Sequence, residues 1–120
     1  LDSHSAAKIM AFVTDIADQF GTIIVCTIHQ PSTRVYESFD LLMLLSRGRV
    51  LYYGQANTAL TYFAAVDCEA PKNTNPAEFL LEISNSDFTV KEKVDKLIAN
   101  WEQHQHQHHH HHHHLDRRRQ

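Results

Sequence analysis

Ile23-Ile24-Val25-Cys26-Thr27-Ile28-His29-Gln30-Pro31-Ser32 is the stretch on which the fold turns. Its first six residues run without polar alternation and are rich in β-branched side chains. That pattern predicts a strand apolar on both faces, the kind found inside a parallel sheet covered on both sides. Pro31 ends the strand, and Ser32 can cap a short helix carrying Val35 and Phe39 on one side. His29 then falls at the carboxyl end of a buried strand, where open α/β sheets collect their ligands. An imidazole there can donate a hydrogen bond to a phosphate oxygen or orient a water. It can equally do no more than satisfy a buried backbone carbonyl.

Upstream, Ala6, Ile9, Met10, Val13, Ile16, Ala17 and Phe20 recur at spacings of three and four, one apolar stripe along a helix. Asp2 or Ser3 can cap its start and Gly21 supplies its stop. Helix followed by buried strand is the α/β rhythm. Downstream, Leu41-Leu42-Met43-Leu44-Leu45 and Val50-Leu51-Tyr52-Tyr53 flank Ser46-Arg47-Gly48-Arg49, which predicts a β-hairpin closed by Gly54. A helix through Leu60 and Phe63 follows. Asn75-Pro76-Ala77-Glu78 is a helix start, with Asn as cap, Pro at the first position and Glu placed for a capping box. Thr89-Val90-Lys91-Glu92 repeats the signal, and Val90, Val94, Leu97, Ile98 and Trp101 behind it form an amphipathic stripe in need of a partner surface.

Composition narrows the classes. Hydrophobic residues make up 42% of the 120 and charged residues 21%, with a formal charge of -3. That gives no reason to propose a nucleic-acid partner, and Arg117 to Arg119 are too few to change it. The longest apolar runs fall far short of the roughly 20 residues a membrane-spanning helix needs. Cys26 and Cys68 make no disulfide framework, and Cys26 reads as a small buried hydrophobe. No metal site is expected from them. Nine of the eleven histidines lie between His104 and His114, a low-complexity tract that predicts disorder over 104–120.

The run from Ile24 to Ser32 resembles the switch, or H-loop, region of ABC transporters of the G subfamily, the White and pleiotropic-drug-resistance branch. Leu1-Asp2-Ser3 is similar to the end of that family's D-loop. Phe39-Asp40-Leu41-Leu42-Met43-Leu44-Leu45 and Gly48-Arg49-Val50-Leu51-Tyr52-Tyr53-Gly54 are similar to its following hairpin, and Asn75-Pro76-Ala77-Glu78-Phe79 to its Asn-Pro-x-Asp/Glu-Phe element. All occur in family order across roughly residues 1–88. The resemblance implies an α/β fold: the C-terminal fragment of a P-loop NTPase (ABC ATPase) domain, a parallel-sheet strand plus β-hairpin with flanking helices. It divides the chain into a partial nucleotide-binding domain over 1–88, an amphipathic helix over 89–103 and a disordered tail over 104–120.

The resemblance also assigns roles. His29 would be catalytic, contacting the ATP γ-phosphate and placing the attacking water. Asp2, His29 and Gln30 would be the cofactor-binding residues, with Asp2 coupling the site to a second ABC ATPase domain, although a plain helix cap also accounts for Asp2. ATP and Mg2+ are implied for the complete domain only. Partners would be that second ATPase domain and a transmembrane domain, in a membrane exporter of lipids, sterols or xenobiotics. The departures matter equally: the sequence has no Gly-x-x-x-x-Gly-Lys-Ser/Thr loop, no Leu-Ser-Gly-Gly signature and no Asp-Glu pair to hold magnesium and orient water. The chain alone is therefore expected to be inactive. The rival readings are a non-catalytic interaction fragment, or degenerate gene product, and a metal-binding histidine-tract protein.

Overall fold

The computed structural model describes residues 2–85 and 91–118. The order is α1 (Ser3–Phe20), α2 (Thr33–Glu37), β1 (Leu41–Ser46), β2 (Arg49–Gln55), a 3₁₀ turn (Ala56–Thr58), α3 (Ala59–Ala65), α4 (Pro76–Ser84) and α5 (Lys91–Arg118). The chain divides into two compact units, residues 1–42 with 54–81, and residues 43–53 with 82–120.

In the first unit local chemistry sets each helix end. The Asp2 carboxylate accepts the Ser5 N–H at 2.7 Å and starts α1. Gly21 ends it in the left-handed region at φ 62°, where a Cβ would be strained. Ser32 Oγ accepts the Val35 N–H at 3.2 Å and starts α2, which buries Val35 and Tyr36. Asn75 Oδ1 accepts the Ala77 N–H at 2.8 Å, with Pro76 at the first helical position of α4. α3 closes with Asp67 at φ 63° and the Cys68 N–H returned to the Phe63 carbonyl at 2.8 Å. The core here gathers Val35, Tyr36, Ala56, Ala59, Phe63, Ala77, Phe79 and Leu80, all buried.

The second unit is a hairpin covered by a helix. Arg47 at φ 51° and Gly48 at φ 75° form the two-residue loop between β1 and β2, the double positive φ that matches strand twist. Leu44, Leu51 and Tyr52 are buried together with Val94, Leu97, Ile98 and Trp101 of α5. The rings of Tyr52 and Trp101 lie 5.5 Å apart. Ser46 Oγ donates to the Ser84 carbonyl, which satisfies an acceptor left open at the end of α4. Arg47 pairs with Asp95 at 2.7 Å and Arg49 pairs with Glu102, both at the exposed rim.

Two expectations change. Residues 22–28 form no strand: among the described residues the only sheet is the antiparallel pair β1–β2. A strand exists only through a hydrogen-bonded neighbour, and none is present for this stretch. Ile23 and Val25 are consequently 90% exposed, and Cys26 is exposed rather than buried. The stripe on α5 meets the partner surface it calls for in the hairpin. The α5 backbone runs on to Arg118. Extending a helix from a packed segment costs far less than nucleating one. Thr89 and Val90, which the sequence places at the start of this helix, lie outside the described residues.

Candidate functional site

His29 and Gln30 sit at the bend between the extended residues 22–28 and Pro31, and both side chains are exposed. Gln30 holds φ at 48°. A residue before proline is normally pushed to extended backbone, so a left-handed Gln30 is a strained position, of the order of 1–3 kcal/mol for such sites. The strain turns the chain sharply between His29 and α2. On the far side the turn is held by the Ser32 cap and by Tyr36, whose hydroxyl donates 2.7 Å to the Ala56 carbonyl inside the core.

Asp2 lies at the other end of α1. Its carboxylate is engaged by the Ser5 N–H, and that backbone hydrogen bond holds its pKa below the usual carboxylate range. No hydrogen bond or ion pair joins Asp2 to His29 or Gln30. The structure thus places His29 and Gln30 side by side and gives Asp2 the cap role in α1. The exposed imidazole of His29 suits a single hydrogen bond to a phosphate oxygen. The sequence contains no Gly-x-x-x-x-Gly-Lys-Ser/Thr loop and no adjacent Asp-Glu pair.

What sequence reasoning missed is the Gln30 backbone. The Gln-Pro dipeptide marks a turn, but no side-chain pattern announces a positive φ for glutamine. Elsewhere, a shallow depression bounded by Arg47, Arg49, Lys91, Asp95 and Ile98 is no second site, since its two arginines are taken up by Asp95 and Glu102. Among the described residues no three His, Cys, Asp or Glu side chains are grouped to share a metal ion, and no helix is long and apolar enough to cross a membrane.

Residues 29–115 match the family model described as ABC-2 type transporter. The chain is 42% identical over 98 residues to ABC transporter G family member 22 of Arabidopsis thaliana, covering 79% of this chain and 13% of that protein. It is 42% identical over 86 residues to ABC transporter G family member 1 of Dictyostelium discoideum, covering 72% and 11%. Protein scarlet of Drosophila melanogaster is 42% identical over 87 residues, covering 72% and 13%. The chain therefore spans a small part of the length of these curated relatives.

One expectation falls here. The matched model is that of the membrane part of such transporters, and the described residues hold a two-stranded antiparallel sheet. The reading as the C-terminal part of a P-loop NTPase domain built on a parallel-sheet strand is overturned. The physical reason is the one already seen at residues 22–28: apolarity on both faces measures what a stretch must bury against, not that the neighbours form a sheet. The family itself stands, and the chain belongs to the ABC-2 type transporters, in the G subfamily of ABC transporters.

Proposed function

We propose that this chain serves an ATP-driven exporter of the G subfamily as a segment through which ATP turnover acts on the membrane part. His29 contacts the γ-phosphate of ATP and helps place the attacking water, with Gln30 beside it. ATP and Mg2+ are held for the most part by protein outside this chain, since His29 supplies one hydrogen bond and no more. Asp2, besides capping α1, contributes to coupling with the opposing ATPase domain. The ATPase domains and the rest of the membrane part complete the transporter. Lipids, sterols or xenobiotics are the substrates in this reading, moved across the membrane in which the transporter sits.

The observation that carries the proposal is the exposed apolar stretch ending at His29 and Gln30. Ile23 and Val25 are 90% exposed, and residues so apolar call for cover by protein outside the chain. Whatever covers them meets His29 at the strained turn, so the imidazole becomes part of a composite site. A ligand there is reached by one residue from this chain and the remainder from elsewhere, as phosphoryl transfer with its several separate parts permits. Substituting His29 in the complete transporter, with ATP turnover and export measured side by side, tests the reading. Unchanged turnover and export would leave His29 no such role.

A further inference from the structure

The ring of His104 stacks on that of Trp101, the centroids 5.4 Å apart and the planes 28° from parallel. Three residues apart on α5, the two side chains share one face of the helix. Trp101 is held in place: it is buried, and its ring meets that of Tyr52 on β2 at 5.5 Å. His104 itself is exposed, as are residues 102–107 as a whole. The indole is thus a fixed platform under an imidazole that water reaches, at the point where the buried stretch of α5 ends. Neither residue takes part in the nucleotide reading.

Histidine is the side chain whose charge changes between pH 5 and 8 in ordinary surroundings. A neutral imidazole on an indole contributes packing alone, whereas a cation within about 6 Å of the ring centroid is also drawn to its electron-rich face. We propose that His104 is a proton-operated clamp on Trp101, tightening the grip of α5 on the hairpin when its imidazole is charged. The charged form meets this platform only in the folded unit. The added stability is therefore present in mild acid and lost as pH rises through the histidine range. On β2 the charged residue beside the contact is Arg49, which pairs with Glu102 of α5, so the two largely offset each other at His104. Tyr52 turns its ring to Trp101, and the exposed Tyr53 points to the opposite face of the strand. Asp95 and Lys96 lie more than two helical turns away. His106 and the histidines after it are kept in every variant below.

Trp101 is the sole tryptophan of the 120-residue chain, so its fluorescence reports on this contact alone. His104→Gln keeps a polar side chain that suits a helix and carries no charge at any pH. Urea unfolding of the full chain and this variant, followed by Trp101 fluorescence at pH 8 and pH 5, gives the ratio of their unfolding constants. That ratio should move in the parent's favour by about two- to fivefold on going to pH 5, the scale of an exposed cation–π contact. In the folded chains, Trp101 emission should titrate between those pH values in the parent and much less in His104→Gln. Glu102→Gln separates the indole from the nearby carboxylate: with that substitution in both chains, the shift with pH should persist. A ratio that does not change with pH, that moves the other way, or that stops changing once Glu102 is replaced would overturn the proposal. Equal titration of Trp101 emission in parent and His104→Gln would overturn it too.

Discussion

The hydroxyl of Tyr36 donates a 2.7 Å hydrogen bond to the backbone carbonyl of Ala56, and both residues are buried. It fastens α2, the first element after the His29-Gln30-Pro31 turn, to the chain leaving the hairpin. Tyr36→Phe keeps the ring and removes this bond, leaving the Ala56 carbonyl with the Ala59 N–H. It should destabilise by about 0.5–1.5 kcal/mol, the net worth of one hydrogen bond. Urea denaturation measures it, and a midpoint equal to the parent's would show that the bond holds nothing.

Trp101 closes the second unit against Tyr52, their ring centroids 5.5 Å apart. Trp101→Ala removes the largest side chain of that core and should cost about 3–5 kcal/mol. Trp101→Phe, which keeps an aromatic partner for Tyr52, should cost clearly less. Both follow from thermal melting of the two variants beside the parent. If the two substitutions were equally mild, the α5–hairpin contact would not be what holds this unit.

The parts of the fold legible in the sequence are those that local chemistry decides. Asp2, Ser32 and Asn75 cap because an oxygen on a short side chain meets the free N–H groups of the next turn. Arg47-Gly48 turns because the hairpin needs positive φ there, and Gly21 stops α1 for the same reason. The stripe Val94, Leu97, Ile98, Trp101 was legible as an apolar face, though not what covers it. Residues 22–28 misled because β structure is a relation between segments: five apolar residues in a row broken only by Thr27 demand burial but cannot say what buries them. At the candidate site His29 stood out by its place before Gln-Pro, while the left-handed backbone of Gln30 left no mark in the sequence.

Asp2 makes the start of α1 pH-dependent. Its pKa is lowered by the Ser5 N–H, so its contribution is fully present above the unfolded value of about 3.9 and is lost as pH falls through the lower folded value. Asp2→Asn keeps an uncharged cap. The helical signal of the parent should therefore exceed that of Asp2→Asn above about pH 4, the difference vanishing under stronger acid. Circular dichroism across pH 2–7 reads this directly. A difference that is constant with pH would mean that the charge contributes nothing to α1.

The isolated chain should associate. Ile23, Val25, Phe12 and Phe20 are strongly exposed, more apolar surface than soluble monomers ordinarily show. Ile23→Lys with Val25→Lys should shift it toward monomer in size-exclusion chromatography with light scattering, without lowering its melting temperature. A parent chain that is already a clean monomer at tens of micromolar would remove the basis for a covering partner at residues 22–28.

The most direct measurement is ATP turnover by the complete transporter carrying His29→Ala. If His29 is the one contact this chain gives the γ-phosphate, turnover falls by roughly 10²–10³-fold, the scale of losing one transition-state donor. The KM for ATP changes far less, because ground-state phosphate contacts come from elsewhere in the protein. Export should fall in step with turnover. A His29→Ala transporter that hydrolyses ATP at nearly the parent rate would contradict the account and leave His29 a surface residue of a segment that acts by binding alone.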